Sequence, residues 1–381
     1  VKILLVGPYP PAKDGIGDYA QALAGEFVRA GHEVRVLAVR GDGPVLPGEV
    51  FGTLDSVRAA LSAARAWAPD VVHVQFAVAA FGTRIPALLR VLPALRALPA
   101  KLVVTLHEVT RDTATLGPLG RSLYRRVLRA ADQVIVHTAA ALRRLSALDH
   151  LGGTLVRHPV HRPAEVTSPA DLRARFGLGA DRVLLAFGFI HVDKGLDDTV
   201  RALAAAHRAD PAALRGVRLV VAGRVRPRRG AFRVLEARDH LHLLRVRAAI
   251  TRAGLDDRVV FTDYVPDADV AGWFRVAAAV LLPYRRIEQS GVAGLADAFG
   301  TPVLASDVGG LAEQFTGSPW LFPPRDPGAM ADVLVRFLGT TDPHVGRTRA
   351  GEGPCLADVV ARTLAVYRAS APARTGSGCA A

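Results

Sequence analysis

The stretch Leu281–Glu313, LLPYRRIEQSGVAGLADAFGTPVLASDVGGLAE, decides the fold. Val280–Leu282 is an apolar run stopped by Pro283. Gln289-Ser290-Gly291 then opens a helix, Thr301–Ala305 is the next strand, and Gly309-Gly310 starts a further helix. A strand, a helix and a strand in so short a span form a unit of parallel sheet. A helix that begins at a Ser-Gly turn presents unpaired backbone N–H groups and the positive end of its dipole, which suit a phosphate at the sheet edge.

Outward from this stretch the same alternation continues. Upstream, Val183–Phe187, Arg218–Ala222, Val259–Thr262 and Ala279–Leu282 are expected strands with helices between them, and Pro302–Ala305 follows. Earlier still, Lys2–Val6, Val34–Ala38, Val71–Val74, Leu102–Leu106, Gln133–Val136 and Thr154–Arg157 make a second series, with helices such as Asp18–Ala30 and Val57–Trp67. The proline-rich segment His158–Asp171 separates the two series as a linker. Two doubly wound domains follow, with ligand sites at the carboxyl edges of their strands and a substrate expected in a cleft between them. A chain of 381 residues suits two domains of roughly 100–200 residues each.

The bulk composition narrows the setting. Two cysteines, Cys355 and Cys379, make no disulfide framework. The opening VKILLVGPYPP reads as a buried strand rather than a leader, and no stretch is expected to reach the ~18 apolar residues of a membrane span. The expected location is therefore cytoplasmic, with peripheral contact at the inner membrane face as an addition. The net charge of +13 is carried almost wholly by arginine; lysine occurs only at positions 2, 13, 101 and 194. It fits either a GC-rich coding bias or a surface that attracts anions. Sparse aromatics and the lack of any nucleic-acid module argue against nucleic acid.

Several residues stand where chemistry is expected. Gly15 and Gly17 lie in the loop after the first strand and match G-x-G-x-x-A loosely; a flexible turn and a phosphate or acceptor loop compete evenly there. His107 ends the apolar strand VVTLH and points to a ligand crevice, with His73 and Gln75 as second candidates. His137 is set aside because Thr138 reads as a helix cap. Lys194, in AFGFIHVDKGLDD, follows the glycine Gly188 at a strand end, where an ammonium suits a diphosphate. Glu288 precedes the Ser-Gly turn and suits sugar hydroxyls. Asp267-Ala268-Asp269 formally matches a metal-binding D-x-D, but reads as a helix cap. The pairs His158/His161 and His240/His242 form no fuller ligand set, so no metal is expected.

These motifs together resemble the GT-B fold retaining glycosyltransferases of the family-4 type, over nearly the whole chain. The carriers are the Gly15/Gly17 loop, TLHE ending at His107-Glu108, FGFIHVDKG with Lys194, VVAGR with Gly223-Arg224, FTDYVP with Tyr264-Val265-Pro266, and the segment from Pro283 to Gly310. The resemblance implies an α/β, GT-B architecture of two Rossmann-like domains facing a central cleft. Residues 1–165 would bind the acceptor, 172–350 the nucleotide-sugar donor, and a helix near 355–370 would cross back onto the first domain before a disordered tail at 371–381. It implies metal-independent sugar transfer with retention, from a nucleotide-diphosphate donor to a small-molecule, glycan or lipid-linked acceptor, with no cofactor beyond that co-substrate and with domain closure around both.

By that resemblance, His107, Lys194 and Glu288 are catalytic. Gly15, Gly17, Gly188, Arg224, Gln289, Ser290, Gly291 and Val292 hold the donor phosphates, and Tyr264, Val265 and Asp297 face the base and ribose. Two departures stand out. Phe189 occupies the place of the family's arginine, with Arg224, Arg285 or Arg286 as substitutes. The second glutamate of E-x7-E falls on Ala296 or Leu295, with Asp297 the nearest carboxylate. Two other readings remain: a non-catalytic sugar-nucleotide-binding partner of an active transferase, and an NAD-dependent oxidoreductase. The proline-filled first loop and Arg40 at the end of the second strand speak against the latter.

Overall fold

A computed structural model describes residues 1–10, 15–39, 50–53, 57–148, 152–159, 163–228, 233–340 and 354–369. Lys13, Arg40, Asp42, His161, Cys379 and the expected tail at 371–381 lie outside the described residues. The chain divides into two compact units, Val1–Pro159 with Pro354–Ala381, and Val160–Gly353.

In the first unit seven strands pair in parallel in the order β3-β2-β1-β4-β5-β6-β7. They are β1 (Lys2–Gly7), β2 (Glu33–Ala38), β3 (Val50–Thr53), β4 (Val71–Phe76), β5 (Lys101–Leu106), β6 (Gln133–Val136) and β7 (Thr154–Leu155). Alternate residues of β1 enter opposite cores. Leu4 and Val6 join Val72, Val74 and Leu88 on one face, while Ile3 and Leu5 join Phe27, Val359 and Tyr367 on the other. Burial on both faces is why these strands are continuous apolar runs. The second unit repeats the plan with six parallel strands in the order β10-β9-β8-β11-β12-β13. They are β8 (Arg182–Phe187), β9 (Val217–Ala222), β10 (Val259–Phe261), β11 (Ala277–Leu282), β12 (Val303–Ser306) and β13 (Leu321–Phe322). The short edge strands β3 and β13 were not expected from the sequence. Both sheets reverse direction of growth beside their first strand, between β1 and β4 and between β8 and β11, which is where doubly wound sheets open a crevice.

The helix Leu356–Arg368 packs on the first unit, against the helix Gly15–Arg29. Its start is a capping box: Cys355 Sγ accepts from the Asp358 N–H, and the Asp358 carboxylate accepts from the Cys355 N–H. Its end is tied down by Tyr367, whose hydroxyl meets His73 Nδ1 at 2.6 Å in the core.

Three expectations need correction. Residues Val78–Arg96 are long and apolar enough to pass as a membrane span by length and composition. In the structure a 3-10 turn at Gly82–Arg84 breaks this stretch, and Leu88, Val91, Leu92 and Leu95 face the first core, so it is a packing helix of that unit. Asp269 is not a helix cap. It is buried and accepts hydrogen bonds from Thr167 Oγ1 at 2.5 Å and Arg175 Nη1 at 2.7 Å, fastening the linker to the helix Asp267–Val276. The helix after the first loop begins at Gly15, not near Asp18.

Candidate active site

The second unit places its candidate residues at the sheet reversal. Gly188, directly after strand β8, has φ +92°, and a Cβ there would lie 3.0 Å from Lys194 Nζ and 3.8 Å from Val292. The positive φ favours glycine here, and the absent side chain leaves the ammonium uncrowded over the strand end. Lys194 Nζ donates to the Phe187 carbonyl at 3.3 Å and lies 5.5 Å from the centre of the Tyr284 ring. The pocket around it is lined by Gly188, His191, Lys194, Leu196, Pro283 and Tyr284.

The loop that carries Lys194 is held at both ends. Gly195 adopts φ +67°, and a Cβ on it would stand 2.0 Å from the Pro283 carbonyl, so the loops after β8 and β11 touch backbone to backbone. Arg285, proposed from sequence as a phosphate ligand, is spent elsewhere. Its guanidinium donates to Asp197 at 2.6 Å, to Asp198 at 2.8 and 3.0 Å, and to the Val192 carbonyl at 3.2 Å. Hydrogen bonds and charge from Arg285 hold the Asp197 carboxyl below its usual range against the opposing effect of burial. Arg285 thus braces the Lys194 loop from behind.

On the other side of the crevice, Ser290 caps the helix Gly291–Phe299 by accepting from the Ala293 N–H at 3.2 Å. Gly291 is exposed and Val292 partly so, with the helix N-terminus between them. Gly309 keeps φ +53° because a Cβ would meet the Ile287 carbonyl at 1.8 Å. That approach fixes the chain entering Glu288, which is buried, and Gln289. Asp297 is also buried, on the same helix as the capped start. Val265 is half-buried beside Tyr264.

The place of the missing arginine has an answer not foreseen from the sequence. Arg226 lays its guanidinium 5.7 Å from the centre of the Phe189 ring, so a positive charge sits over the residue that replaces arginine. Arg224 lies 4.8 Å from the Tyr264 ring centre, which joins two candidates from separate loops. Arg286 is exposed.

In the first unit the structure brings His107 into a larger group. His107 directly follows β5, His137 directly follows β6, and His158 comes shortly after β7. One ring nitrogen from each lies within 4.8 Å of the others. Tyr19 completes the wall, with ring centres 5.4, 5.5 and 4.6 Å from the three imidazoles in that order. Thr138 does cap the next helix, accepting from the Ala141 N–H at 3.0 Å, but His137 points into the cluster all the same. His158, which its spacing in the sequence left outside any group, stands beside His107 and His137. A histidine at or just beyond the ends of three successive strands was the available signal.

Behind His107 runs a buried chain of hydrogen bonds. Gln75 Oε1 accepts from His107 Nε2–H at 2.9 Å, and the Gln75 amide reaches His73 at 3.2 Å. His73 meets Thr105 Oγ1 at 2.7 Å and Tyr367 at its other nitrogen. Burial drives all these rings toward the neutral form: His73 down to about 3, His137 down to about 4 despite its bond to the Val156 carbonyl, and His107 and His158 well below the usual value. Gly15 and Gly17 lie in the first turn of their helix with ordinary backbone angles. Nothing crowds a Cβ at Gly15, and one at Gly17 makes ordinary contacts at 3.5 Å. His107, Gly15 and Gly17 belong to the first unit and the remaining candidates to the second.

Comparison with known proteins then decides the family. Residues 181–340 match the model for glycosyl transferases group 1, and residues 13–157 match glycosyltransferase family 4. The chain belongs to the group 1 glycosyltransferases. A D-inositol 3-phosphate glycosyltransferase of Xylanimonas cellulosilytica is 33% identical over 66% of this chain and 60% of its own length. The match covers about half the length of the other curated relatives, such as 43% of the one from Frankia alni and 48% of that from Streptomyces scabiei. The fold is GT-B. Sucrose-phosphate synthase of Thermosynechococcus elongatus superposes with a TM-score of 0.71 at 21% identity, covering 96% of this chain and 98% of that one. Anabaena Alr3699/HepE in complex with UDP does so at 0.75 and 18%, covering 96% and 100%. Both Lys194 and the Ser290 turn fall within the group 1 match.

Proposed function

We propose that this glycosyltransferase moves a sugar from a nucleotide-diphosphate donor to an acceptor hydroxyl, with retention at the anomeric carbon and without a metal on the diphosphate. The observation that carries the reading is the meeting of Gly188, Lys194 and Val292 at the reversal of the second sheet. A diphosphate there lies between an ammonium and a helix start, two sources of positive potential in a partly buried crevice. As the bond from the anomeric carbon to the β-phosphate oxygen breaks, its electrons go to the phosphate. The acceptor oxygen bonds to that carbon and its proton passes to the leaving phosphate oxygen. Charge grows on the leaving phosphate, and groups already aimed at it lower the barrier most. Arg226 and Arg224 add charge at the rim, Tyr264 offers a face to the base, and Glu288 and Gln289 suit sugar hydroxyls. The Gly15–Gly17 helix start and His107 belong to the first unit, to which we assign acceptor binding.

The relatives are named for D-inositol 3-phosphate, and HepE has been solved in complex with UDP. We extend these to a UDP-sugar donor and a small hydroxylated acceptor, in the cytoplasm, with peripheral contact at anionic lipid as a further expectation. Titration of UDP into the protein tests the donor half. Micromolar binding lost in Lys194→Ala supports the reading, and equal affinity in that variant overturns it. Proton NMR of the product's anomeric centre tests retention.

A further inference from the structure

The histidine cluster of the first unit has the marks of a coordination site. We infer that His107, His137 and His158 bind one divalent transition-metal ion of the Zn2+ class.

Three observations carry this independently of the donor reading. The first is placement. The histidines follow β5, β6 and β7, which are neighbours in the sheet, so the fold itself sets them side by side at one carboxyl edge. One nitrogen from each lies within 4.8 Å of the other two, and ring centres are 4.8, 4.4 and 5.9 Å apart. A tetrahedral ion with metal–nitrogen bonds of ~2.0–2.1 Å sets its ligands roughly 3.3 Å apart. The rings therefore draw together by an ångström or so on binding.

The second is the outer partners. A metal-bound histidine characteristically gives its other N–H to a carbonyl or similar acceptor, which fixes the tautomer and aims the ring. His137 Nδ1–H donates to the Val156 carbonyl at 2.7 Å, which makes Nε2 the lone-pair atom. His107 Nε2–H donates to Gln75 Oε1 at 2.9 Å, which makes Nδ1 the lone-pair atom. Gln75 is itself oriented by His73, and His73 by Thr105 and Tyr367. So the support extends through a second and third layer of buried groups.

The third is the chemistry of the donor set: three imidazoles, two of them buried, grouped around Tyr19, with neutral imidazole the form that coordinates. Imidazole donors suit Zn2+, Ni2+, Cu2+ and Fe2+, whereas Mg2+ and Ca2+ take oxygen. Three protein ligands fill three of the four positions of a tetrahedral ion and leave one for water or for an oxygen of a bound substrate.

The test uses the full chain, stripped with a chelator and dialysed. Co2+ is added and its visible ligand-field absorption followed, with displacement by Zn2+ and with Mg2+ as control. The expected result is one Co2+ per chain, the intense band of four-coordinate cobalt, displacement by Zn2+ and no response to Mg2+. His137→Ala and His158→Ala should each weaken binding at least tenfold while UDP affinity stays unchanged. His158 is only partly buried, so its variant keeps the test decisive if His137→Ala fails to fold. Absence of the band in the wild type, or its persistence in folded His158→Ala, overturns the site. Either result leaves the diphosphate reading standing, and failure of UDP binding in the wild type would leave this one standing.

Discussion

Lys194 is the residue on which the donor reading turns. Its ammonium sits in the space kept clear by Gly188, close to a helix start. Lys194→Ala should weaken nucleotide-diphosphate binding at least about tenfold, or about 1.4 kcal/mol, measured by isothermal titration. His107 belongs to the other unit, and His107→Ala should lower turnover more than donor affinity. A matched loss in both constants would count against that division. Lys194 could be singled out from the sequence because it is one of few lysines and follows a strand-ending glycine. Arg226 could not. Its significance depends on a backbone path that brings the loop after β9 across Phe189, and no spacing rule encodes that path. The same holds for Arg285, a credible phosphate ligand by sequence position, whose charge is taken by two aspartates in the first turn of the helix after Lys194.

Loops and helix ends show how the site is held. Arg285 joins the loop after β11 to the first turn of the helix Leu196–Ala209, and Asp198 is buried there. Arg285→Ala would leave that carboxylate without its strongest partner. A loss of roughly 2–3 kcal/mol is expected, less than for a fully buried pair because Asp197 is part exposed. Chemical denaturation would measure it, and a change below about 0.5 kcal/mol would mean that the brace is idle. Gly195→Ala tests the contact between loops more severely. Any Cβ meets the Pro283 carbonyl, and the left-handed backbone adds strain. The variant should lose both stability and UDP affinity, whereas Gly291→Ala, with open space around it, should lose little stability. Strand positions were legible because burial on two faces writes them as apolar runs. The edge strands β3 and β13 were not, being short and read as loop. The histidine cluster was missed because its members are far apart in sequence and converge only through strand order.

At the scale of the whole molecule, the first unit's interior depends on pH. His73 takes up a proton much less readily when folded, its pKa lying near 3 against an ordinary 6.5. Below pH 6.5 the unfolded chain therefore binds more protons than the folded one. Stability is complete above that pH and falls as pH drops toward 3, by about 1.4 kcal/mol per pH unit for one ring. Denaturation midpoints between pH 7 and 4.5 should decline, and His73→Asn should remove about one proton from the slope. A flat profile would show that these rings protonate without cost. Tyr367→Phe should destabilise the same unit by about 1 kcal/mol, since it leaves His73 Nδ1 short of its hydroxyl partner.

The helix Leu356–Arg368 has one more consequence. It covers a face of a sheet whose first strand is Lys2–Gly7, so the earliest and latest described segments of the chain share one interior. During synthesis, everything in Val160–Gly353 leaves the ribosome before that cover arrives. The later-made half can thus reach its native state first, while the earlier-made half waits with Ile3, Leu5 and Phe27 uncovered. In that interval the nascent chain is most exposed to aggregation and to chaperones. Release of a chain cut short before residue 354 would make the vulnerable state permanent.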